Sequence, residues 1–412
     1  MIRQRQLIVA LVLAGSACIE IGDKDRKKAA ADSASAIAAA DSMAVSTPSW
    51  DTLYTDTIGL GERYARYMTP ASESTFKLIT PSNAAARPTR FPLTVPTRGS
   101  TALQLQILLD RAGFSPGIID ATWGDNAAKA LTWFNASASG DTTHPIGLAD
   151  SSNRSVDRAT YNRVAQAAGT TPLITSYTVT DDDVKGPFTR IPDRVYDQAK
   201  LDCLCYSSAT EKIAERFHTN RELLAQLNPG VNFESISAGT TISVPNVGES
   251  ETANSPSAPS DSNAGTTRDT TGSRSGGMRI VISKKEFWTH LVDSSGKVIR
   301  HFPSTLGAGY DPSPTGEFHV TGITRNPAFR YDPKLFAEIP DTRPTAKLRP
   351  GPNSPVGIVW IALSKPHYGI HGTAAPESIG YQSSHGCVRL TNWDATALAD
   401  LISTGTPVTF QE

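Results

Sequence analysis

Cysteine is scarce. Four thiols in 412 residues cannot make a disulfide scaffold in a chain of this length. Neither charge sign dominates: 39 Lys plus Arg stand against 40 Asp plus Glu, a formal net charge of -1. That balance removes any reason to expect nucleic acid as a partner. Long apolar runs are missing apart from one near the start, which excludes a membrane-spanning bundle. Hydrophobic residues reach 39 %, enough for a sizeable core but lean enough that some stretches stay unfolded. At roughly 100–200 residues per domain, the length allows two to four folded units.

The one apolar run is Leu7 to Ala14, preceded by Arg3 and Arg5 and followed by Gly15, Ser16, Ala17 and Cys18. A basic start, a short apolar stretch and small residues describe an export signal, so residues 1–18 are expected to direct export to the periplasm or cell envelope. The placement of Cys18 resembles a bacterial lipoprotein processing site, which would make Cys18 the lipidated residue. Gly15 departs from that pattern, where a larger apolar residue is usual. Cleavage near Ala17 and an uncleaved anchor remain the alternatives, and membrane contact is expected only through this end.

Residues 19–49 are rich in Ala, Ser and Asp with a basic cluster at Lys24 to Lys28 and no apolar stripe, and read as a disordered tether. Residues 50–98 carry scattered aromatics and read as one or two helices of uncertain role. Thr101 to Asp110 places Leu105, Leu108 and Leu109 on one helical face. Gly113 ends that helix, Ser115-Pro116-Gly117 turns, and Asp125-Asn126 caps a second helix carrying Ala127, Ala130, Leu131 and Phe134. Tyr161 to Ala168 supplies a third. The Gly-Phe-x-Pro-Gly-x-x-Asp turn and Trp-Gly make residues 99–170 resemble a peptidoglycan-binding domain 1 module, a small α-helical bundle. Trp123 is expected in its core rather than facing a ligand.

Between Ser176 and Val247, Ile213, Ala214 and Phe217 share one helical face, and Leu223, Leu224 and Leu227 share another after Asn220. Asn228-Pro229-Gly230 stops the second helix, and Thr241 to Val244 alternates as a strand. This pattern resembles a LysM domain, a βααβ carbohydrate-binding module, with a long insertion from Asp181 to Tyr206. Cys203 and Cys205 lie in the insertion; two residues apart is read as too close for an easy disulfide, and metal ligands are too few. Residues 248–277 hold no Leu, Ile, Val, Met or aromatic residue, and 19 of the 30 are Ser, Thr, Gly or Pro, so a flexible linker is expected.

From Met278 the pattern becomes mostly β. Met278 to Ser283, Glu286 to Asp293, Val298 to Phe302, Gly316 to Val320, Gly357 to Ala362 and Thr406 to Phe410 read as strands, with one helix over Ala395 to Leu401. The chemistry concentrates between Tyr368 and Asn392. Cys387 is a thiol flanked by glycine, it follows His385, and His371 lies 16 residues upstream. A cysteine needs a basic partner to react near neutral pH, and His371 is the candidate if the chain folds back. Gly386 lets backbone approach closely, so its N–H and that of Cys387 could meet a developing oxyanion. The bland alternative is a tight turn with a buried cysteine and two structural histidines.

His-Gly-Thr-x-x-Pro-x-Ser-Ile-Gly followed by Ser-His-Gly-Cys-Val-Arg-Leu-x-Asn resembles the signature of the L,D-transpeptidase catalytic domain, the YkuD family, and residues 278–412 match it in order. Pro314-x-Gly-x-Phe318 and Gly351 to Gly357 fit as well. The resemblance implies a multidomain chain ending in a mostly β catalytic domain, a YkuD-like sandwich or barrel. It implies Cys387 as nucleophile, His371 as general base, a backbone carbonyl at Gly372 to orient it, and His385 shaping the site and poising the thiol. Arg389 would fix the loop or meet a substrate carboxylate, and Ser384 and Tyr368 would bind substrate. The implied substrates are peptidoglycan stem peptides and glycan. The implied reaction is a transferase step that releases D-Ala and forms 3→3 cross-links. No metal or cofactor is called for. Water as acceptor would make it an L,D-carboxypeptidase; a protein lysine would make it an enzyme attaching an outer-membrane or cell-wall protein. A non-catalytic wall-binding lipoprotein is the remaining alternative.

Overall fold

A short helix capped by the Thr80 side chain opens the described chain. The computed structural model describes residues 79–139 except Thr97, residues 155–248, and residues 277–412 except Ala308, Tyr310, Ala337, Glu338 and Asp341. The export signal with Cys18, the tether, most of the 50–98 segment and nearly all of the linker lie outside these residues.

The first described region contains α1 (Pro81–Ala85), β1 (Leu93–Thr94), α2 (Ser100–Arg111), α3 (Asp125–Ser139), β2 (Ser155–Val156) and α4 (Arg158–Ala168). Asp157 caps α4 by accepting from the Thr160 N–H. Gly113, at φ +83°, takes the left-handed turn that ends α2. Leu105, Leu108 and Leu109 are buried as their spacing predicts, and Trp123 is buried in the same core.

Next come β3 (Ile174–Thr178), α5 (Asp181–Val184), α6 (Val195–Gln198), α7 (Ala209–Arg216), α8 (Arg221–Leu227) and β4 (Thr241–Pro245). β3 pairs antiparallel with β4, and Val179, Ile213, Ala214, Leu224, Ile242 and Val244 bury together beneath the pair. Ser208 and Asn220 cap α7 and α8. One expectation is corrected here: Cys203 and Cys205 are disulfide-bonded, with Cα atoms 5.2 Å apart. The backbone bends between them and brings the two Cα atoms closer than the roughly 6.5 Å of an extended strand, inside the span a disulfide bridges.

The C-terminal region has β5 (Arg279–Ser283), β6 (Trp288–Val292), β7 (Val298–Pro303), β8 (Leu306–Gly307), β9 (Gly316–Arg325), β10 (Phe329–Tyr331), β11 (Ala346–Leu348), β12 (Val359–Leu363), β13 (Gly369–His371), β14 (Ser383–Ser384), β15 (Val388–Arg389), α9 (Asn392–Leu401) and β16 (Pro407–Gln411). Eight strands form one curled, half-barrel sheet in the order β15-β13-β12-β9-β16-β5-β6-β7. β9 extends five residues beyond its expected end, and α9 begins at Asn392, capped by Thr391, rather than at Ala395. The inner face buries Ile280, Ile282, Leu291, Val320, Ile361, Ile370, Val388 and Val408 against Ala395 and Leu398 of α9.

β7 would leave an open hydrogen-bonding edge, which invites pairing with other chains. The turn after α2 covers it: Ser115 N–H donates to the His301 carbonyl at 2.9 Å, and His301 N–H donates to Gly113 at 3.1 Å. α3 seals the same side, with Trp133 edge-on to Trp288 at 5.1 Å and to His290 at 4.4 Å. His290 and His301 share a 2.9 Å hydrogen bond there. Burial holds both below the usual imidazole range, His301 at about 3, so the pair is neutral.

Candidate active site

Strand pairing brings the two ends of the motif together. β13 and β15 run parallel, with Ile370 opposite Val388 and His371 opposite Arg389, so Cys387 enters β15 alongside Gly369. The Leu390 N–H donates to the His371 carbonyl at 2.8 Å, and Arg389 exchanges backbone hydrogen bonds with Thr305 on the other side. Residues 372–386 therefore loop out and return to the same sheet edge.

His371 is buried, and its Nδ1 lies 2.7 Å from the Gly372 carbonyl. A carbonyl only accepts, so Nδ1 carries the proton and Nε2 presents its lone pair. Trp360, the direct cross-strand neighbour, stacks on the imidazole at 5.3 Å. Burial and the Arg389 charge lower the His371 pKa to about 3, against a smaller upward pull from the Gly372 carbonyl.

Cys387 is a half-buried free thiol whose Sγ lies 3.7 Å from the His367 carbonyl. Burial pushes it up to about 11, and the Asp311 carboxylate adds to this; the Gly369 backbone and the Arg389 charge pull it down. Thiol and imidazole are thus both neutral around pH 7. The loop around the thiol is braced by two serines. Ser384 is buried and its hydroxyl donates to the Cys387 carbonyl at 2.5 Å, while Ser313 donates to the Gly386 carbonyl at 2.8 Å and accepts from the Gly307 N–H. Ser384, expected at the substrate, is therefore turned toward the loop backbone.

Gly386 has φ +94°, and a Cβ there would come within 2.7 Å of Tyr368 Cε1. Gly386→Ala is expected to destabilise the fold by about 1–3 kcal/mol and to slow labelling of Cys387 by iodoacetamide. Urea unfolding and timed labelling measure the two effects, and wild-type values for both would remove the constraint assigned to this glycine. Tyr368 packs on Gly386 and carries Lys365 Nζ at 4.8 Å from its ring. His385 meets Phe336 edge-on at 4.9 Å. Phe336 belongs to the excursion between β10 and β11, which sequence reasoning did not connect with the site. Trp360 was within reach of it: alternation in β12 buries Val359, Ile361 and Leu363 on one face and leaves Trp360 on the other, facing His371.

A family model of the L,D-transpeptidase catalytic domain (YkuD) matches residues 277–410. The YkuD protein of Bacillus licheniformis is 30 % identical over 198 residues, which cover 48 % of this chain and 90 % of that one. A match of that length includes residues upstream of 277. The Bacillus subtilis YkuD protein is 34 % identical over 121 residues, and there the chain spans 58 % of the relative. Among solved structures, an L,D-transpeptidase from Mycobacterium smegmatis is 24 % identical, with 33 % of this chain and 59 % of that chain covered and a TM-score of 0.28.

Proposed function

Because the chain belongs to the L,D-transpeptidase (YkuD) family of enzymes, we propose that Cys387 and His371 carry out acyl transfer on peptidoglycan stem tetrapeptides. The observation that carries this reading is the tautomer of His371. Its Nδ1–H is fixed on Gly372, so Nε2 is the basic atom, on a strand paired with the one that begins just after the thiol.

In this reaction Cys387 Sγ attacks the carbonyl of the third stem residue, a diamino acid, as His371 Nε2 takes the thiol proton. The backbone N–H groups of Gly386 and Cys387 receive the oxyanion. Collapse breaks the bond to the terminal D-Ala, whose amine leaves with the proton from His371, and a thioester remains. An amine on a neighbouring stem, deprotonated by His371, attacks the thioester, forms the 3→3 amide and frees the thiol. Arg389 suits a stem carboxylate, which a guanidinium can hold with two donors.

The upstream regions, 99–170 and 176–247, are proposed to engage the same polymer as peptidoglycan-binding and LysM-like modules. Attachment of this kind raises the local concentration of enzyme on an insoluble substrate. Export, with or without a lipid on Cys18, places the enzyme in the cell envelope. Mass spectrometry of disaccharide-tetrapeptides incubated with the protein tests the reaction. Tetrapeptide dimers joined 3→3 are expected. Tripeptide monomers alone would identify water as the acceptor, and an unchanged substrate would count against the reading.

A further inference from the structure

Asn392 is 1 % exposed, at the first turn of α9, and its side-chain amide bonds to two separate segments, the loop between β11 and β12 and helix α7. Oδ1 accepts from the Ile358 N–H at 3.2 Å. Nδ2 donates to the Pro352 carbonyl at 3.2 Å and to both carboxylate oxygens of Glu215, at 3.2 and 3.1 Å. Glu215 lies on α7, far upstream of the sheet, and also accepts from the Tyr206 hydroxyl at 2.9 Å. Glu215 is half-buried, and burial pushes its carboxyl pKa up to about 7 against those two hydrogen bonds.

The amide sits against the backbone that orients His371. A Cβ at Gly372 or at Gly357 would overlap Asn392 Oδ1, and Gly357 in turn lies against Gly372. The Gly372 carbonyl is the acceptor for His371 Nδ1. The same upstream region is stitched to the neighbouring loop: Asn353 Nδ2 donates to the Cys205 carbonyl at 2.9 Å and to Glu211 at 2.8 Å. The Asn353 N–H donates to Leu204 at 2.9 Å, and the Leu204 N–H donates to Pro350 at 3.1 Å.

We propose that Glu215 is a positioning residue for the active site, acting through Asn392 on the Gly372 carbonyl and so on the orientation of His371. The region upstream of the sheet is then part of the catalytic unit as well as a wall-binding attachment. The inference rests on His371 being the base of the proposed reaction, but its geometry is independent of the acceptor.

The test uses the full chain with Glu215→Ala and Glu215→Gln. Glutamine keeps an oxygen that accepts from Asn392 and Tyr206; alanine keeps nothing. Glu215→Ala is expected to lower kcat by roughly ten-fold with KM within about two-fold, because a small misplacement of a catalytic group acts on the chemical step. Glu215→Gln should restore most of it. Long-range 15N–1H spectra of the imidazoles, assigned with a His371 variant, should show the Nδ1–H form of His371 in wild type and a tautomer mixture in Glu215→Ala. A lower melting temperature with unchanged kcat and an unchanged tautomer would overturn the proposal, as would Glu215→Gln behaving like Glu215→Ala. The spectra need no substrate. A wild type that leaves tetrapeptides untouched, while Glu215→Ala still shifts the tautomer, would support the relay and sink the reaction instead.

Discussion

Cys387→Ala should leave the fold within about 1 kcal/mol of wild type and reduce acyl transfer by roughly ten-thousand-fold or more. The stability estimate follows from the half-buried position of the thiol. Deleting one sulfur next to a loop held by its own carbonyl contacts with Ser313 and Ser384 leaves those braces in place. The activity estimate follows from the covalent route, which needs the sulfur as nucleophile. Intact-protein mass spectrometry after mixing with disaccharide-tetrapeptide checks it: wild type should gain the substrate mass less D-Ala, and the variant should gain nothing. Cys387→Ser sharpens the test. Its oxygen occupies a similar place, but a hydroxyl is a far weaker acid than a thiol, so a loss of roughly a thousand-fold is expected with the fold intact. An adduct of the same mass on Cys387→Ala would place the nucleophile elsewhere.

The parts of this site readable from sequence lie within one continuous stretch. His371, Gly372, Gly386 and Cys387 stand within 17 residues, where residue type and order indicate chemistry without knowledge of the fold. The groups that could not be read reach the site through tertiary structure. Ser313 arrives from the loop before β9 and Phe336 from the excursion between β10 and β11, whereas the alternation of β12 already sets Trp360 apart. Glu215 and Asn392 are 177 residues apart, and neither has a local pattern that points to the other. The larger strands follow from period-two alternation, whereas β8, β13, β14 and β15 are two or three residues long and carry too little pattern to detect. The disulfide between Cys203 and Cys205 is not legible from spacing alone, because it depends on a local bend that brings the two Cα atoms to 5.2 Å.

The pH dependence of acylation should separate the base from the nucleophile. With the imidazole at about 3 and the thiol at about 11, the neutral pair persists throughout the intermediate range. A reaction that transfers the thiol proton to His371 during attack should then have a single-turnover rate nearly flat from about pH 5 to 9. The rate falls only on the acid side, as protonation of Nε2 removes the base. A cysteine protease-like ion pair formed in the resting enzyme would require the opposite ordering of the two pKa values. His371→Gln removes the base, and a loss of about 100- to 10,000-fold is expected at pH 7. Its remaining activity must use thiolate formed by solvent, so it should climb about ten-fold per pH unit toward the thiol pKa rather than stay flat. Rapid-quench acylation rates of wild type and His371→Gln across pH 5 to 9.5 give both profiles. A flat profile in His371→Gln would mean that another group accepts the proton, and the role assigned to His371 would fall with it.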